Sequence, residues 1–154
     1  MFEIVLELFY ALIGSMGFSL LFNLRKEHLA AAVLGGTAEW AVYMAAEWFF
    51  GDGVFLPSVA AAAFAAVYAE VVARVKHAPA TVFYIPALVP MIPGGTLYYT
   101  MSYAVRSDWD MVRLYAGNTM YCAIGIAVGL CLVLSVAFTG RKLKETKKTL
   151  PLSE

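Results

Sequence analysis

Residues 84–99 read YIPALVPMIPGGTLYY, which puts Pro86, Pro90, Pro93, Gly94 and Gly95 inside one long apolar segment. A proline in a helix removes a backbone donor and clashes with the carbonyl four residues earlier. In water this merely ends the helix. In lipid every freed backbone group needs a partner or costs several kcal/mol, so such a break survives only where protein or a water-filled cavity surrounds it. The segment therefore marks a candidate binding site, provided the chain is a membrane protein.

Composition makes it one. Of 154 residues, 62% are hydrophobic and only 14% charged, far from the balance of a soluble domain. Formal net charge is zero, which gives no electrostatic footprint for nucleic acid. The N-terminus, Met1-Phe2-Glu3-Ile4, has no basic region ahead of its apolar run, so the first run is expected to be a span rather than a cleaved signal.

Runs of about 20 apolar residues predict five transmembrane helices, over 4–22, 29–50, 54–73, 82–104 and 116–138. The expected fold is thus all-α, with a five-span domain over 1–140 and a basic tail over 141–154. Arg25, Lys26 and His28 follow the first span, Arg74, Lys76 and His77 the third, and Arg141, Lys142, Lys144, Lys147 and Lys148 the fifth. The loop at Gly51-Asp52-Gly53 has no basic residue, and the expected loop from Arg106 to Arg113 balances its arginines with Asp108 and Asp110. The positive-inside rule then puts the N-terminus outside and the C-terminus in the cytoplasm. A re-entrant fourth segment would leave the basic tail outside, so that segment is expected to be a broken span. Trp48, Phe49, Phe50, Trp109 and Tyr115 suit an outer interfacial belt.

Small residues recur. Gly125-xxx-Gly129 and the run Ala60 to Ala63 allow close helix approach, either within one bundle or against a partner subunit. Cys122 and Cys131 lack the spacing of a redox or metal motif, and His28 and His77 have no ligand company, so no metal or cofactor is expected.

Within the fourth span, Pro86, Pro90 and Pro93 free the carbonyls of Val82, Pro86 and Val89. These lie on one helical face and make a stripe of acceptors. Gly94 and Gly95 would let the chain leave helical geometry, and Thr96 would cap a second half-helix. That half-helix aims its N-terminal amides at the break, which suits a carboxylate. The carbonyls ahead of the break suit an ammonium, a hydroxyl or a cation. Discontinuous helices build substrate sites in secondary transporters. Tyr99 and Thr100 follow Thr96 at helical spacing and would line the same cavity. A plain structural kink is the competing reading.

Carboxylates at membrane depth are functional candidates. Glu7, Glu47 and Glu70 lie near span ends and are expected to reach the interface. Glu39 lies mid-span, and Tyr43 and Glu47 continue its face at i+4 and i+8. It is the candidate proton carrier, with a neutral packing role as the alternative. Asn23 reads as a helix-end cap. Asn118, with Tyr121 at i+3, is a further candidate substrate contact.

The sequence Pro86-Ala87-Leu88-Val89-Pro90-Met91-Ile92-Pro93-Gly94-Gly95-Thr96-Leu97-Tyr98 resembles the signature of the threonine/serine exporter (ThrE) family, and is most similar to its small-subunit, YjjB-like branch. Gly17-Phe18, Phe22-Asn23 and Asn118 support the likeness. The resemblance implies a secondary exporter of small metabolites in the bacterial inner membrane, moving threonine and serine or a dicarboxylate such as succinate. It also implies a larger YjjP-like partner subunit. Glu39 lies outside the resemblance. The expectation is half of an exporter, proton-coupled, whose site is built from Pro90, Pro93, Gly94, Gly95, Thr96, Tyr99, Thr100 and Asn118. Rival readings are a membrane scaffold for a transporting partner, a homo-oligomer acting alone, and a membrane-embedded enzyme. The last is disfavoured because no nucleophile or metal cluster falls at membrane depth.

Overall fold

The structure is a computed structural model describing residues 2–51 and 53–149, with side chains described as far as residue 139. Asp52 and 150–154 lie outside it, as do the basic side chains of the expected tail. Six α-helices follow in order: α1 (Phe2–Leu21), α2 (Lys26–Phe50), α3 (Phe55–Lys76), α4 (Thr81–Leu88), α5 (Gly94–Val105) and α6 (Trp109–Thr149). A 3-10 turn, Val89–Met91, joins α4 to the break.

Helices α1, α2, α3 and α6 are long and apolar enough to cross a membrane, and α4 with α5 forms a pair bent by 44° that makes a fifth when counted as one span. The 11 residues 81–91 and the 12 of α5 together span about 35 Å at about 1.5 Å per residue. That matches a hydrocarbon core about 30 Å thick.

Local chemistry explains the helix ends. Pro57 sits in the first turn of α3, where its missing N–H costs nothing. Helices α1 and α3 each stop on a residue in the left-handed region, Asn23 (φ 52°) and His77 (φ 50°). Asp108 caps α6 by accepting the Met111 N–H at 3.3 Å. The loop expected from Arg106 to Arg113 is therefore shorter than its charges suggest, because α6 already begins at Trp109.

Helix α3 is central. Ala61, Ala62, Ala65, Ala66 and Ala69 are fully buried along it. It packs against α2, α4 and α6, while α2 also holds α1 and α4. Gly125 and Gly129 of α6 face α3. A Cβ on Gly129 would come within 2.5 Å of the Val59 carbonyl, and one on Gly125 within 2.7 Å of the Ser58 Cβ. The Gly-xxx-Gly motif is therefore spent inside the bundle, not on a partner. Tyr68 ties α3 to α2 by donating to the Ala31 carbonyl at 2.7 Å. Large apolar side chains such as Phe9, Leu20, Val71 and Leu132 point outward, as a chain dissolved in lipid requires.

Three local expectations are corrected. The N-cap of α5 is Pro93, not Thr96, and Gly94 and Gly95 lie inside the helix. The rigid Pro90–Pro93 segment breaks the span, so no glycine freedom is needed. Val89 does not keep a free carbonyl, because the Ile92 N–H reaches it at 3.2 Å. Glu70 does not reach the interface: it is 7% exposed, with Arg74 3.8 Å away one turn on.

Candidate functional site

The break switches the chain between neighbours. Helix α4 packs on α2 and α3, whereas α5 packs chiefly on α6. Met91, the last residue of the 3-10 turn, is buried with Ala61 and Ala62, and Tyr43, Ile126 and Leu130 close around them. The turn is thus held where α2, α3 and α6 converge.

Hydrogen bonds fix both sides of it. The Cys122 thiol of α6 donates to the Met91 carbonyl at 3.5 Å, a normal distance for sulfur. The Ser58 hydroxyl lies 3.5 Å from the same sulfur and donates to the Val54 carbonyl at 2.7 Å. Beyond the break, Thr96 donates to the Pro93 carbonyl at 3.1 Å, and Thr100 donates to the Thr96 carbonyl at 2.8 Å. The Thr119 hydroxyl of α6 lies 2.8 Å from that of Thr96 and 2.8 Å from the Tyr115 carbonyl. One proton serves either contact. Tyr99, Tyr103 and Tyr115 cluster beside it, with Tyr103 stacked on Tyr115 at 5.5 Å.

Glu39 is fully buried on α2, and neither carboxylate oxygen has a hydrogen-bond partner in the protein. Buried polar groups are nearly always paired with protein or water, so this pair of oxygens stands out. Tyr43, next on that face, is half-buried, and Glu47 beyond it is exposed. The face therefore grades from buried to exposed along α2.

The other flank of the break is open. A cavity of about 220 Å³ is lined by Glu7 and Tyr10 of α1, Trp40 of α2 and Pro90. The Trp40 indole N–H is buried without a partner. A second cavity of about 200 Å³ lies between Phe22, Leu24, Val82 and Pro86. The buried face of α1 between these levels is Ala11, Ser15 and Ser19, and both serine hydroxyls lack partners. Gly36 allows this approach, since a Cβ there would collide with the Ser15 hydroxyl and lie 3.4 Å from the Ala87 Cα. A seam between α1 and the broken span thus carries unpaired polar groups past Pro86 to Pro90.

The sequence-expected residues divide accordingly. Pro90 lines the cavity, and Pro93, Thr96 and Thr100 are joined by hydrogen bonds. Gly94, Gly95 and Tyr99 are exposed, and the Tyr99 ring lies against Tyr115 of α6. Asn118 is half-buried on α6, and the residue that reaches the break is its neighbour Thr119. Sequence reasoning missed Thr119, Cys122 and Ser58. Thr119 and Cys122 come from α6 and Ser58 from α3, so only the packing of these helices brings them to the break.

These features define a polytopic α-helical membrane protein with one span broken between two half-helices. The family model described as "Threonine/Serine exporter, ThrE" matches residues 7–136. The chain belongs to the threonine/serine exporter family, a family of transporters rather than enzymes. No curated protein and no solved structure matches it.

Proposed function

We propose that this chain is one half of a secondary exporter moving small carboxylates, threonine and serine or a dicarboxylate such as succinate, across the bacterial inner membrane. The observation that carries the proposal is the seam. Cavities and unpaired hydroxyls run along α1 from Phe22 to Pro90, where the span breaks. A solute shedding water in lipid needs such replacement partners. The N-terminal amides of α5 supply positive potential for a carboxylate. Glu7 and the rings of Tyr10 and Trp40 suit the ammonium of an amino acid.

Glu39 is the proton carrier of this reading, since its oxygens have no other engagement in the protein. The N-terminus lies outside and the C-terminus inside, following the basic loops. A larger subunit of the same family completes the unit by covering the apolar faces of α1 and α5. No bond is made or broken in the solute, so the chain is not an enzyme.

Gly94→Leu with Gly95→Leu tests this against a scaffold role. Nothing lies within 4 Å of a Cβ at either position, so the first added carbon meets open space. Export from whole cells should fall while assembly in the membrane persists. Undiminished export would remove the break from the mechanism and favour the scaffold. A binding screen of threonine, serine and succinate then identifies the solute.

A further inference from the structure

Two short loops meet at one end of the bundle, and their polar residues surround a cavity of about 330 Å³. Asn23 and Arg25 come from the α1–α2 loop, His28 from the first turn of α2, and His77 from the end of α3. Phe22 and Val82 supply apolar wall. The volume is at the lower edge of the range for small-molecule pockets, about 300–1,000 Å³.

We propose that this cavity is a binding site for an oxyanion, a carboxylate or phosphate group, separate from the break. Its lining includes an arginine, two imidazoles and a carboxamide but no carboxylate. Of the acids at this end, Glu27 is exposed, Glu70 lies 3.8 Å from Arg74, and neither lines the cavity. His28 is only 9% exposed, and the edge-on contact with Phe83, 5.5 Å between centroids, holds its ring. Its Nδ1 is buried and has no hydrogen-bond partner.

The backbone adds to this. Both helices that start here, α2 and α4, begin without a side-chain cap, at Arg25 and Ala80. The His28, Val82 and Phe83 amides of these first turns already donate to the Arg25, Pro79 and Ala80 carbonyls, so the site's recognition rests on the side chains, with the helix starts adding only positive potential. The loops themselves are matched. The Leu24 N–H bonds the Ser19 carbonyl at 3.0 Å, and the Ala78 N–H bonds the Ala73 carbonyl at 3.1 Å. Glycine usually occupies the left-handed position in such a helix end. Asn23 and His77 occupy it here, and both line the cavity. A glycine would give the same turn with no polar group.

The oxyanion can arrive on a free solute or on a phospholipid headgroup, and one experiment separates these. The chain has only two histidines, so the full-length protein with 15N-labelled histidine gives two assignable sets of ring resonances, with His77→Gln for assignment. The protein is placed in phosphatidylcholine nanodiscs and titrated with sodium succinate or inorganic phosphate, against sodium chloride at matched ionic strength. A saturable shift of both His28 and His77, weakened at least tenfold by Arg25→Gln, is the expected result. If both rings move only when phosphatidylglycerol replaces part of the lipid, and Arg25→Gln weakens that response, the oxyanion is lipid-borne and the site stands. Rings that respond to neither arm beyond chloride, or that respond equally in Arg25→Gln, overturn it. The break is untouched in these variants, so this outcome is independent of the export assay.

Discussion

Cys122 of α6 presents its thiol to the Met91 carbonyl at 3.5 Å, so a carbonyl at the edge of a broken helix finds its donor on a different helix. A buried acceptor left bare costs about 1–3 kcal/mol. Cys122→Ala should therefore destabilise the fold by about that much, and Cys122→Ser, which keeps a donor, by less. Unfolding of the purified protein in mild detergent compares the two. Equal stability of both variants with the parent would mean that the contact contributes nothing.

Thr96 and Thr119 offer a cleaner measure of how firmly α5 is held. Each single change to Val should cost about 0.5–1.5 kcal/mol. The double variant should cost less than the sum, because the two hydroxyls share one contact at 2.8 Å. A double-mutant cycle in the same unfolding assay reads the coupling, and strict additivity would show that the two helices are not joined there.

Glycines on α6 and at the break should respond oppositely. Gly129→Leu forces a side chain against the Val59 carbonyl and the Ala62 Cβ, 2.5 and 2.9 Å from the first added carbon. Overpacking of this kind costs about 1–3 kcal/mol or more, so the protein should express poorly. Gly94→Ala and Gly95→Ala meet open space and should express like the parent. Expression level and monodispersity by size exclusion are sufficient readouts.

For Glu39 the informative change is to Gln, which keeps size and hydrogen-bonding groups while removing the titratable proton. Folding should survive, because the carboxylate has no partner in the protein to lose. Export driven by a proton gradient in vesicles should fall at least tenfold, while exchange of solute without a gradient should persist. Full gradient-driven export by Glu39→Gln would exclude it as the coupling group.

Much of the fold was legible because lipid makes length and hydropathy decisive: a 20-residue apolar run has few alternatives to a span. The break in the fourth apolar segment was legible from Pro86, Pro90 and Pro93 for the same reason. The details of the break were not. Thr96 resembles an N-cap by residue type, but Pro93 already turns the chain, and the helix starts three residues earlier than a threonine cap requires. Glu70 lies near a span end by counting, yet tertiary packing covers it. The partners Thr119, Cys122 and Ser58 are ordinary residues in apolar runs. Only the packing of α6 on α3 and α5 brings them to the break, and no spacing within one helix encodes that. The meeting of His28 with His77, 49 positions apart, is of the same kind.

The halves of the broken span are unequally anchored. Phe83, Pro86 and Ala87 of α4 are buried, whereas α5 has no buried residue and rests on α6 through a threonine contact and a tyrosine cluster. A door works on the same principle, with one leaf fixed to the frame and the other free to swing. Moving α4 would tear out core, while tilting α5 about the Pro90–Pro93 pivot disturbs a single neighbour. Of the two leaves, α5 therefore has the less core to lose in any rearrangement at this level.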